Sequence, residues 1–162
     1  MDKVRYAGYG KMPAVQRYYR KVQSSSGVIR FFYKVLFYLA KHYCHIELPD
    51  RVKIGGGLYM GHHYMITVNE DTIIGKNCNI HKGVTIGAEY RGSREGAPKI
   101  GDNVWIGIGS VIVGKINIGD DVLIAPNSFV NRDVPSHSVV MGNPCVIKHR
   151  DNATEGYINR TV

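Results

Sequence analysis

An aliphatic side chain recurs every six residues through most of this chain. It stands at Leu48, Ile54, Met60 and Ile66, slips by two residues, and continues at Ile74, Ile80 and Ile86. After an eight-residue insertion it resumes at Ile100, Ile106, Ile112, Ile118, Ile124 and Val130. Gly or Ala follows most of these (Gly55, Gly61, Gly75, Gly87, Gly101, Gly107, Gly119, Ala125), and small or β-branched residues such as Cys78, Val84, Val104, Val122 and Val134 stand four positions after. A period of six suits neither the 3.6 of a helix nor a long strand. It suits one short strand and one turn per hexapeptide, three to a triangular coil, with the aliphatic turned inward and stacked on its equivalent in the next coil. The pattern predicts an all-β parallel β-helix of about four coils. Nineteen glycines without a Gly-X-Y period serve its tight corners and exclude collagen.

The register divides the chain into a basic helical segment over 1–47, the β-helix over 48–147 with a loop insertion at 88–99, and a tail over 148–162. Of the net charge of +8, all falls in residues 1–53, where eleven Lys and Arg face Asp2, Glu47 and Asp50; residues 54–162 carry ten of each sign. Val28, Phe31, Phe32, Val35, Leu36, Leu39 and Tyr43 recur at helical spacing, with Arg30, Lys34 and Lys41 in another sector. Such a helix either packs its stripe on the body and covers an open end of the β-helix, or lies on an anionic membrane surface. No DNA- or RNA-binding motif accompanies the charge, so no nucleic-acid partner is expected. Cys44, Cys78 and Cys145, odd in number and at no metal-ligand spacing, read as reduced thiols of a cytoplasmic protein, peripheral on the inner membrane face if the helix binds lipid.

Grouping the hexapeptides by three puts those starting at Met60, Ile80, Ile106 and Ile124 on one face. Their third positions form a column, His62, Lys82, Ile108 and Pro126, with about 4.8 Å between coils and His81 one position off. The column runs from ionisable to apolar, which fits a long thin ligand with its reactive end at the histidines. Three histidines on neighbouring coils also admit a metal, but His62 and His63 are adjacent and His81 is one slot off, so no metal is expected.

The hexapeptide series resembles the left-handed β-helix acyltransferases over residues 48–148. The run from Ile54 to Gly87 is similar to the serine acetyltransferase branch; Asn103-Val104-Trp105-Ile106-Gly107 and Gly142-Asn143-Pro144-Cys145-Val146-Ile147 are similar to galactoside, maltose and antibiotic acetyltransferases as well. The resemblance implies a left-handed β-helix, a homotrimer, acetyl-CoA in the groove between subunits, and an insertion that reaches across the subunit boundary. It implies His62 as the general base, with His63, His81 and Lys82 as neighbours on the acceptor side. Coenzyme contacts are expected at Ile108, Pro126, Asn131 and Arg132, with Gly83, Gly87 and Lys148 added to that set and His149 and Arg150 as alternatives to Lys148. Backbone N–H groups around Gly83 are candidates for holding the oxyanion.

Two positions depart from the serine branch: Gly61 stands where it has an aspartate before the histidine, and Gly96-Ala97 where it has an Arg-His pair before Pro98-Lys99-Ile100. Glu70 is the candidate to orient His62 instead. An acetyl-CoA-dependent O-acetyltransferase is expected. The subtraction of charged partners points to a sugar hydroxyl of a surface polysaccharide precursor as acceptor, ahead of serine. The reading from another class is a non-catalytic β-helix scaffold.

Overall fold

A computed structural model describes residues 1–162 apart from Tyr9. The helices are α1 (Asp2–Arg5), α2 (Ala14–Gln23) and α3 (Gly27–Cys44). Fourteen short strands follow. β1 (Lys53–Ile54), β4 (Ile73–Ile74), β7 (Lys99–Ile100) and β10 (Asn117–Ile118) form one parallel sheet. β3 (Thr67–Val68), β6 (Thr85–Gly87), β9 (Val111–Val113) and β12 (Phe129–Val130) form a second. The third holds β2 (Tyr59–Gly61), β5 (Asn79–His81), β8 (Val104–Ile106), β11 (Val122–Ile124) and β13 (Ser138–Met141), closed by the antiparallel β14 (Val146–His149). The whole is a left-handed β-helix of about five turns.

The six-residue register is its core. Twelve of the thirteen aliphatic positions are at most 3% exposed, Ile54 being half-buried. Inward residues stack in register, Ile80 on Ile106 and Ile106 on Ile124 in one sheet, Ile86 on Ile112 and Ile112 on Val130 in another. At the corner between the first and third sheets the chain passes through the left-handed region at Gly57, Asn77, Asn103, Asp121 and His137, with φ of 78°, 55°, 55°, 53° and 58°. Asn, Asp and His tolerate that conformation better than most side chains, which is why they take this corner in the four turns after Gly57.

About four coils were expected and there are five, because the last departs from strict spacing. β13 follows β11 by 138 − 122 = 16 residues rather than 18, and Val134 replaces a full strand with a single bridge to Ile118. β14 then pairs with β13 and covers the outer strand of the third sheet, so segment 148–162 begins inside the sheet.

The opening turn of a solenoid presents backbone groups with no coil above them. Side chains from α1, its C-cap Tyr6 and α2 satisfy them. The Gly57 N–H donates to Asp2 Oδ1 (2.9 Å), the Met60 N–H to the Tyr6 hydroxyl (2.7 Å), and Gln16 Nε2 donates to the Leu58 carbonyl (2.8 Å). Arg20 binds both the Ile54 carbonyl (2.7 Å) and Asp2 (2.7 Å). Val15, Tyr19 and Val22 close the apolar end beneath this network.

α3 departs from the packed-stripe expectation. Its packed side is Tyr33, Phe37, Ala40 and Cys44, while Val28, Phe31, Phe32, Val35, Leu39 and Tyr43 are exposed. Leu36 alone of the expected stripe is half-buried.

The tail climbs the outside of the solenoid. Asp121 accepts from the Ala153 and Thr154 N–H groups and the Thr154 hydroxyl (2.9, 3.0 and 2.7 Å). Tyr157 stacks edge-on against Trp105, its carbonyl accepts from Asn79 (3.1 Å), and the Val162 N–H donates to Asn77 (2.9 Å). Arg5 binds the Asn159 carbonyl and Asn79, joining tail to α1.

Candidate active site

The corner between the third and second sheets carries the column read from the sequence. The Gly83 N–H donates to the Tyr64 carbonyl (3.1 Å), the Gly109 N–H to the Lys82 carbonyl (3.1 Å), and the Asn127 N–H to the Ile108 carbonyl (2.9 Å). Successive turns therefore set His62, Lys82, Ile108 and Pro126 one beneath another, all exposed. His62 sits at φ 52° directly after β2, which turns its side chain out of the coil at the head of this column.

Two further imidazoles gather around His62. His63 stacks on Tyr64 with ring centroids 5.2 Å apart. His81 lies beside Gly61 in register, its ring 4.8 Å from Trp105. Burial lowers the pKa of both, and proximity to His62 lowers it further. Both are thus held neutral near pH 7, and buried His81 Nε2 has no hydrogen-bond partner among the described residues. The ring also explains the glycine before His62: a Cβ at position 61 would stand 2.5 Å from His81 Cε1 and Nδ1. An imidazole fills the space that an aspartate side chain would need.

The remaining expected site residues divide between two other places. Glu70 is at the far end of β3 from His62 and pairs with Arg51, so the structure does not bring it to the imidazole it was expected to orient. Gly87 joins Glu70 in a cleft of about 620 Å³ with Tyr38 and His42 of α3 and Tyr90. Asn131 and Arg132 follow β12 in the same sheet as Gly87, and the Arg132 guanidinium donates to the Cys145 carbonyl. Lys148 is exposed on β14, opposite Val139.

The insertion closes on itself and on the next turn, with Glu89 and Gly96 exchanging backbone hydrogen bonds (3.0 and 2.9 Å), Arg94 paired with Glu89 (3.2 Å), and the Lys115 N–H, after β9, donating to the Arg94 carbonyl (2.9 Å). Sequence reasoning missed Trp105, Tyr157, Asn79 and Arg5, which with His81 line a pocket of about 230 Å³ on the outer face of the third sheet. A lone tryptophan between two buried slots was the available signal.

Comparison with known proteins fits this geometry. Residues 97–132 match the family model of the bacterial transferase hexapeptide (six repeats). A serine acetyltransferase of Staphylococcus aureus is 38% identical over 120 residues, covering 73% of this chain and 55% of its own. A soybean serine acetyltransferase complexed with serine superposes with a TM-score of 0.68 at 29% identity, over 83% of this chain and 54% of the other. A serine acetyltransferase in complex with CoA gives 0.69 at 27% identity, over 83% and 55%. This chain spans about half the length of the curated relatives it matches.

These relatives overturn the expectation of a sugar acceptor, since the matching sequences and the superposing structures are serine acetyltransferases. The subtraction behind that expectation treated position 61 as an ionisable group lost, whereas the His81 imidazole stands in its place. With a five-turn hexapeptide solenoid, a histidine at the head of an exposed corner column, and these relatives, the chain belongs to the hexapeptide-repeat transferases, in their serine acetyltransferase-like branch.

Proposed function

We propose that the chain is an acetyl-CoA-dependent serine O-acetyltransferase with His62 as general base. The observation that carries this is the stacking of His62, Lys82, Ile108 and Pro126 on one corner of consecutive turns, in a chain whose relatives acetylate serine. His62 takes the proton of the serine hydroxyl as the oxygen attacks the thioester carbonyl. The new C–O bond forms, the C–S bond breaks, and the proton passes to the departing thiolate, giving O-acetylserine and free CoA. General-base catalysis of this kind contributes about 10²–10⁴-fold. The apolar lower column, Ile108 and Pro126, lies along the donor's length, and Lys82 beside His62 offers a cation to an acceptor carboxylate. The neutral His63 and His81 keep further positive charge away from the base. A homotrimer, in which a neighbouring subunit walls this corner, completes the site.

The test is thiol release from acetyl-CoA with L-serine, the product identified by mass. O-acetylserine is expected, with the rate reduced about 10²–10⁴-fold in His62→Ala. Equal rates in both proteins, or no release with any acceptor, would favour the scaffold reading, and a His62-dependent rate that ignores serine would overturn serine as the acceptor. Sedimentation at micromolar concentration should give a species of three chains; a monomer alone would remove the shared groove.

A further inference from the structure

Helix α3 has two apolar sides and the molecule uses one. Phe37 and Cys44 are buried against the body. On the opposite side Val28, Phe31, Phe32, Val35, Leu39 and Tyr43 follow helical spacing and are between 44% and 84% exposed. The 18-residue helix is about 27 Å long, so this is a continuous stripe rather than isolated apolar side chains. Along one flank Arg30 and Lys34 share Asp50, at 3.6 and 2.9 Å, and two cations on one carboxylate leave net positive charge there.

The surrounding segment is free of acids. From Lys3 to Ile46 there are nine Lys and Arg and no Asp or Glu. A second copy laid on the same face would bring two acid-free cationic segments together. No helix among the described residues is long and apolar enough to cross a membrane. A helix with a wide apolar face, cations at its flank and aromatic rings at its margin is suited to the boundary between lipid headgroups and acyl chains.

We propose that α3 lies in the plane of an anionic bilayer, its outer stripe inserted at that boundary and Arg30 and Lys34 facing lipid phosphates. The cations supply long-range attraction that salt screens, and the aromatic and aliphatic side chains supply the depth of insertion. The stripe residues are not those of the His62 column, so the inference stands whichever hydroxyl the enzyme acetylates.

The full chain is sedimented with vesicles of phosphatidylcholine alone and of phosphatidylcholine with about one third phosphatidylglycerol, at low and high salt. Retention at least about tenfold greater on the anionic vesicles, weakened by salt, is expected. Phe32→Glu with Leu39→Glu should abolish retention while the circular dichroism spectrum and thiol release stay unchanged; Phe31→Ser, a milder change at an exposed position, should reduce it. Absent retention, or equal retention on both vesicle types, overturns the proposal. So does a wild type that ignores vesicles but loses a larger assembly on Phe32→Glu with Leu39→Glu, which would assign the stripe to a second copy.

Discussion

Any side chain at position 61 must displace the His81 ring, because its Cβ would already stand 2.5 Å from two ring atoms. Gly61→Asp, which recreates the dipeptide of the serine branch, should therefore lower thiol release in this chain rather than raise it. A loss of about tenfold or more is expected, from misplacement of His62. His81→Ser should make room, so the double variant should outperform Gly61→Asp alone; additive losses would refute the steric coupling. The same histidines set a pH dependence. His63 and His81 have pKa values below 6.5 in the folded protein, so the unfolded chain binds more protons as pH falls. Their contribution to stability is complete above pH 6.5 and declines as acid protonates the unfolded chain. The melting temperature should drop from pH 7 to pH 5, and less so in His81→Gln. His62 and its column were legible because spacing alone places residues on a corner. The His81–Gly61 contact was not, since it depends on which rotamer an outward ring takes. Glu70 was misplaced for a related reason: eight residues separate it from His62, but β3 between them carries it to another corner.

Among the elements, α2 closes the solenoid with polar groups as much as apolar ones. Gln16 is fully buried, accepts from the Tyr6 hydroxyl (2.6 Å) and donates to Asp2 (2.9 Å) and the Leu58 carbonyl (2.8 Å). Gln16→Leu keeps the volume but strands these partners, and should cost about 1–3 kcal/mol, read as a lowered urea midpoint at unchanged slope. Hydrophobic spacing announced the strands and α3, yet it was silent on this cap, because a buried glutamine has no periodic signature. The same blindness affected α3: spacing shows that an apolar stripe exists, and α3 has apolar residues on two sides. The fifth turn escaped because Val134 and β13 satisfy the stack with fewer residues than a full coil.

At the scale of the whole molecule, stability is distributed along one apolar column. Ile112 is fully buried, with Ile86 above it and Val130 below. Ile112→Ala should destabilise by about 2–5 kcal/mol, measured by chemical denaturation, since neighbouring turns are held by their own ladders and collapse little into the gap. A stack whose units touch only their neighbours ordinarily frays from its extremities. The tail alters this, because it is bonded to Asp121 on the fourth turn, to Asn79 and Asn77 on the second, and to Arg5 of α1. It acts as a tie rod along the stack, so that peeling off either extremity first requires releasing the rod. Amide exchange in the first and fourth turns should then proceed at one common rate. Asp121→Gly, which keeps the left-handed backbone at φ 53° but removes the anchor, should let the two extremities exchange independently and faster than the middle.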